Sequence, residues 1–274
     1  MSLLDPVSHA LAALIAATHL GLTHLGADPA AGTTWLLCIA VVVVTVRLAL
    51  LPLVVHGVRV AHASARARPQ LQDLARRHRN RQDLDSARRL VEERRRIAAE
   101  HGMPRLGFLP MMLQIPIWWA LYHLVTDVAA GVPAGAMGTE LVASLGAATL
   151  LGVPLAQRGY LGLGATHLAG VAGLAVAAAG LAYVTQRYLV ANNTVTEGLP
   201  EALATAQQWL PALSAVGLIA AGGFVPVALL AYWVCNSVWT LAQSAVIYRW
   251  FPTPGSPAAL RAGTGAGGPR DPHR

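Results

Sequence analysis

Between Trp35 and Val55, twenty-one residues pass with a single charged side chain, Arg47. A run of that length and character crosses a bilayer, because a span needs about 20 predominantly apolar residues. In hydrocarbon every peptide group must find its partner within the protein, so such a run folds as a helix. Further apolar stretches run from Phe108 to Ala130, Ala165 to Val190, Trp209 to Phe224 and Pro226 to Ile247. The last two meet at Gly222-Gly223 and Pro226, a turn-making cluster that reads as a tight hairpin. The composition agrees: 55% of residues are hydrophobic and 12% charged, against about 25% charged in soluble domains. That excludes a disordered chain, a coiled coil, a fibrous protein and almost any water-soluble enzyme. Cys38 and Cys235 both lie inside apolar runs and read as small buried hydrophobes, not as a disulfide framework.

The expected fold class is therefore an all-α membrane protein with a five-transmembrane-helix core. The N-terminal stretch Leu3 to Leu25 gathers Asp5, Ser8, His9, His19 and Thr23 on one side at helical spacing. It is expected to lie in the interface as an amphipathic helix. Leu141 to Leu155 is too short for a span and closes at Pro154. Thirteen of the twenty arginines fall between Arg59 and Arg105, and there is no lysine. The positive-inside rule makes that loop cytoplasmic. Four further crossings return the tail, which carries Arg261, Arg270 and Arg274, to the cytoplasm. The expected domains are a 1–34 extracellular or interfacial segment, a 35–252 five-span core and a disordered basic tail over 253–274. The expected setting is a cell membrane, multi-pass, with the N-terminus out and the C-terminus in.

Residues 59–105 form the strongly charged region. Leu71, Leu74 and His78 recur at helical spacing, as do Leu84, Ala87, Leu90, Val91, Arg94 and Ile97, with Asn80-Arg81-Gln82-Asp83 as a turn between them. Two helices follow, a cytoplasmic helical hairpin stopped by Gly102 and Pro104. Its arginines suit anionic headgroups or a partner. No aromatic residue stands there to stack a base, which argues against direct nucleic-acid binding.

Arg47 dominates the functional reading. It lies about 18 Å along the helix from Trp35 and about 12 Å from Val55, and insertion there costs about 2.5–3.5 kcal/mol. No acidic residue lies well inside another span. A wet cavity that receives an anionic group from elsewhere fits best. Gln114, Trp118 and Tyr122 share one helix face, as do Tyr232, Asn236, Trp239 and Gln243, and Gln186 sits on the presumed cytoplasmic side. The candidate groove residues are Arg47, Gln114, Gln186, Trp233, Asn236 and Gln243. No nucleophile or zinc motif occurs among the ten histidines or elsewhere, so neither an enzyme nor a metal or cofactor is expected. A small anion transporter or channel subunit is the competing class, although no inverted repeat is evident.

Three passages resemble the YidC/Oxa family of membrane protein insertases. The first is Thr45-Val46-Arg47-Leu48-Ala49-Leu50-Leu51-Pro52. The second runs from His101-Gly102-Met103-Pro104 through Leu109-Pro110 and Gln114-Ile115-Pro116 to Leu121-Tyr122. The third runs from Pro226 through Tyr232-Trp233 and Asn236 to Gln243. The resemblance covers about residues 3–252. It implies a groove open to cytoplasm and lipid in which Arg47 attracts acidic residues of a substrate's extracellular part, without nucleotide hydrolysis. Positive charge at position 47, more than guanidinium shape, is the implied requirement. The implied partners are nascent membrane proteins and the lipid bilayer, with the ribosome, the signal-recognition machinery and the Sec translocon as candidates.

Overall fold

The structure, a computed structural model, describes residues 5–78, 84–102, 109–161, 164–196 and 201–266. Helix α1 (Asp5–His24) is followed by α2 (Gly32–Ala49), α3 (Leu51–Arg77), α4 (Leu84–Glu100), α5 (Leu109–Ala129) and α6 (Thr139–Ala147). A two-stranded hairpin of β1 (Thr149–Leu150) and β2 (Val153–Pro154) comes next, then α7 (Gly164–Val184). That helix continues through a π-helical segment, Thr185–Val190, into a 3-10 turn, Ala191–Asn193. Helices α8 (Glu201–Gly222), α9 (Val227–Trp250) and α10 (Pro257–Ala266) complete the chain. The all-α class is borne out. Among the described residues, Pro6–His24, Gly32–Ala49 and Gly164–Asn193 are long and apolar enough to cross a membrane. The N-terminal stretch expected in the interface thus has the length and composition of a span.

Two compact units are present. The first comprises Met1–Leu50, Met111–Gln186 and Trp209–Gln243. Its core gathers Leu11 and Ala12 of α1, Trp35, Cys38 and Val42 of α2, and Leu121, Leu124 and Val128 of α5. Met137, Val142 and Leu145, the hairpin residue Val153, Val171 and Ala175 of α7, and Val227–Leu230 of α9 close it. Small residues on α7 permit this closeness, and packing of that kind holds helices together where lipid offers no hydrophobic contrast.

Local chemistry sets the joints of this unit. Helix α5 ends in a Schellman motif. Gly131, at φ +83°, donates to Val128 O at 3.0 Å, and Val132 donates to Asp127 O at 2.9 Å. Gly32, the first residue of α2, lies against the Thr149 backbone, where a Cβ would stand 1.9 Å from the carbonyl oxygen. His19 packs against Trp35 in a tilted ring contact, with centroids 4.8 Å apart and planes at 38°. Trp35 Nε1 donates to Ser144 Oγ at 3.2 Å, and that hydroxyl donates to Pro29 O at 2.6 Å. The stretch 141–155 expected not to span forms part of α6 and the β-hairpin. The first N–H groups of α9 have no intrahelical partner. Val227 N–H therefore donates to Gln157 O and Ala228 N–H to Leu155 O, both at 2.9 Å. Pro226, lacking an N–H, loses nothing at that position.

The second unit comprises Leu51–Pro110, Arg187–Gln208 and Ser244–Arg274. Helices α3 and α4 pack on one another as the expected hairpin. The expected turn residues Asn80, Arg81, Gln82 and Asp83 lie outside the described residues, as do Pro104 and the side chains of Leu84 and Ala87. Two expectations need correction. Helicity is interrupted at Leu50, ahead of Pro52, so the 35–55 stretch is divided between α2 and α3. Helix α3 then runs without a break through residue 59 and through an internal Pro69 into the hairpin. The tail is also not disordered from residue 253. Ser256 caps α10, its Oγ accepting from Ala259 N–H at 3.2 Å, and Pro257 occupies the first helical position. Asn193 Oδ1 accepts from Thr253 N–H at 2.7 Å and from Ser256 Oγ at 3.5 Å. The Arg68 guanidinium donates to Val195 O beside it. Those anchors hold a segment that glycine and proline content alone describes as loose.

Candidate groove around Arg47

Arg47 stands in the last turn of α2, where a cation also suits the helix dipole. Its partner residues come from α9. Arg47 Nε donates to Asn236 Oδ1 at 3.1 Å, and Nη2 donates to the same oxygen at 2.6 Å. Nη2 also donates to Thr240 Oγ1 at 3.1 Å. The Thr240 hydroxyl in turn donates to the Asn236 carbonyl at 2.8 Å. Thr240 lies one helical turn beyond Asn236, so both present to the same arginine. All three acceptors in this arrangement are neutral. The second terminal nitrogen, Nη1, has no partner among the described residues.

A groove of about 620 Å³ opens beside this cluster. Its polar lining comes from Arg47, Thr185, Gln186, Ser214, Asn236, Ser237 and Thr240. Its apolar and aromatic lining includes Trp118, Tyr232, Trp233, Leu218 and Ala221. Among the described lining residues the guanidinium is the sole formal charge. Each wall has a local reason. Trp118 and Tyr122 lie four residues apart on α5 and stack at 5.8 Å between ring centroids. Trp233, Asn236, Ser237 and Thr240 follow the i, i+3, i+4, i+7 pattern of one helical face. Gln186 lies in the π-helical segment of the third apolar stretch, second after Thr185, and its Nε2 donates to Ser214 Oγ at 3.4 Å. Single π turns within helices are frequent at functional sites.

Of the residues expected from the sequence, Arg47, Gln186, Trp233 and Asn236 line this groove. The side chain of Gln114 lies outside the described residues, although its backbone belongs to α5. Gln243 is not among the lining residues. Its Oε1 instead accepts the Trp239 indole N–H at 3.0 Å, one turn back on the same helix. The sequence did not single out Thr240, Ser214, Ser237 or Thr185. Thr240 was within reach of the spacing rule, four residues after Asn236. The other three are common small polar residues that give no signal on their own.

The family profile described as 60Kd inner membrane protein matches residues 27–254. The chain is 30% identical over 243 residues to the membrane protein insertase YidC of Streptomyces avermitilis, covering 85% of this chain and 55% of that one. It is 27% identical over 258 residues to the membrane protein insertase YidC of Mycolicibacterium paratuberculosis, covering 78% of this chain and 67% of the relative. A third similar protein, the membrane protein insertase YidC of Bifidobacterium longum, is 23% identical over 263 residues and is covered to 78%. The chain thus spans little more than half the length of the first of these relatives. Its apolar helices and these bacterial relatives identify a bacterial membrane protein.

Proposed function

Since the chain belongs to the YidC/Oxa family of membrane insertases, matched over residues 27–254, we propose that it inserts membrane proteins through the groove at Arg47. The carrying observation is one guanidinium, without a carboxylate among the described lining residues, in a groove of about 620 Å³ with polar and apolar walls. The polar wall lowers the cost of passing a short hydrophilic segment. The apolar side lets the substrate's helix move into lipid, and that partitioning drives the step without nucleotide hydrolysis. A carboxylate about 4 Å from a guanidinium gains about 1 kcal/mol in bulk water and about 4 kcal/mol at an effective dielectric near 20. Attraction of that size draws in an acidic segment and still lets it leave. Five spans, α2 with the start of α3, α5, α7, α8 and α9, would form the core, with the arginine-rich hairpin in the cytoplasm. Nascent membrane proteins are the substrates. The ribosome, the signal-recognition machinery and the Sec translocon are candidate partners of the hairpin and tail.

The test is insertion of one single-span substrate carrying zero, one or two acidic residues in its extracellular tail. The protein should favour the acidic tails, and Arg47→Ala and Arg47→Glu should remove that preference. Equal loss across the three tails would refute charge attraction. Growth rescue of an insertase-depleted strain supports insertion. Anion flux in liposomes without such rescue would favour the transporter reading instead.

A further inference from the structure

The groove holds an arginine whose hydrogen-bonding capacity is unequally divided. A guanidinium has five N–H donors in a fixed planar fork. Nε and Nη2 are both directed at Asn236 Oδ1, and Nη2 is shared with Thr240 Oγ1. Nη1 has no described partner, and Arg47 borders the groove. The Thr240 hydroxyl is itself fixed by its bond to the Asn236 carbonyl. The whole cluster therefore hangs from one turn of α9.

We propose that Asn236 and Thr240 are positioning residues: they hold one edge of Arg47 and leave Nη1 as the edge that meets a single acidic group of the substrate. The inference rests on the insertase reading above and says how its charge is aimed. A neutral amide is the chemistry this task needs. It accepts two N–H bonds through one oxygen yet leaves the positive charge uncancelled. A carboxylate in its place would hold the arginine more tightly and neutralise it. This also revises the expectation that charge alone suffices at position 47. A lysine keeps the charge but has neither Nε nor a planar fork, so nothing aims it. The competing view makes Asn236 a plain interhelical hydrogen bond of the kind that joins many spans. The two views separate at Asn236→Asp, which preserves the bond but cancels the charge.

The experiment uses the full chain in proteoliposomes with the three substrates bearing zero, one or two acidic tail residues. Asn236→Asp should reduce insertion of the acidic tails more than that of the neutral tail, so that the preference for acidic tails is lost. Arg47→Lys should retain only part of the preference. If Asn236→Asp keeps the full preference, the proposal falls. If the unsubstituted protein shows no preference at all, the insertase reading of Arg47 falls, which is a different result. A second measurement is independent of insertion. Phenylglyoxal modification of Arg47, followed by peptide mass spectrometry, should be faster in Asn236→Ala and Thr240→Val, where the held edge is released. An unchanged rate in both variants would overturn the proposal even if Asn236→Asp does not fold.

Discussion

Gly32 touches the Thr149 carbonyl so closely that even a methyl group has no room. The obstruction is backbone held in the β-hairpin, which cannot turn aside as a flexible side chain would. Gly32→Ala should therefore destabilise the first unit by about 1–3 kcal/mol or more, the usual cost of overpacking. The measurement is thermal unfolding in detergent against Gly57→Ala, where nothing stands within 4 Å. Equal melting of the two variants would contradict the packing. At this scale the sequence revealed charge better than partnership. Arg47 was legible because it is the single charge in a long apolar run. Asn236 was legible because helical spacing gathers it with Tyr232, and Trp233 because it stands in a passage that resembles the family. Thr240 was not, since a threonine in an apolar helix ordinarily bonds its own backbone, and its arginine lies 193 residues away. Gln243 shares the spacing of the groove residues, but a local bond to Trp239 competes for its amide. Periodicity cannot weigh those alternatives.

Among the elements, α10 is the one whose existence depends most on a few polar contacts. Its sequence is short and contains two glycines, so propensity alone would not hold it. Ser256→Ala removes the cap and should cost about 0.5–2 kcal/mol of local stability. Asn193→Ala removes the acceptor for Thr253 and Ser256 and should have the larger effect on docking. Hydrogen exchange over 253–266 should accelerate in both variants while α7 stays protected. Unchanged exchange would show that other contacts hold the tail. The long apolar helices were readable because hydrocarbon demands such helices and punishes exceptions. The tail helix was not, because its Ser256-Pro257 start is a capping signal set among turn-forming residues. The continuity of α3 was missed for a related reason. Composition changes from apolar to basic near residue 59, but a change of solvent does not require a break in the helix. Helix α4 leaves no described side chain buried.

For the whole molecule, the proposed topology rests on arginine distribution and has a direct check. Single cysteines at Gln70, Ala136 and Ala262, all exposed positions, should label from the cytoplasm, the outside and the cytoplasm respectively. The background is a chain with Cys38 and Cys235 replaced. Labelling of Gln70 from outside would overturn the topology and the groove's orientation with it. The charge of the groove sets a further consequence, which is one of timing. Among the described lining residues there is one formal charge, the Arg47 guanidinium. If substrates pass it as proposed, two acidic residues far apart in a substrate would meet it in succession, as separate events in time.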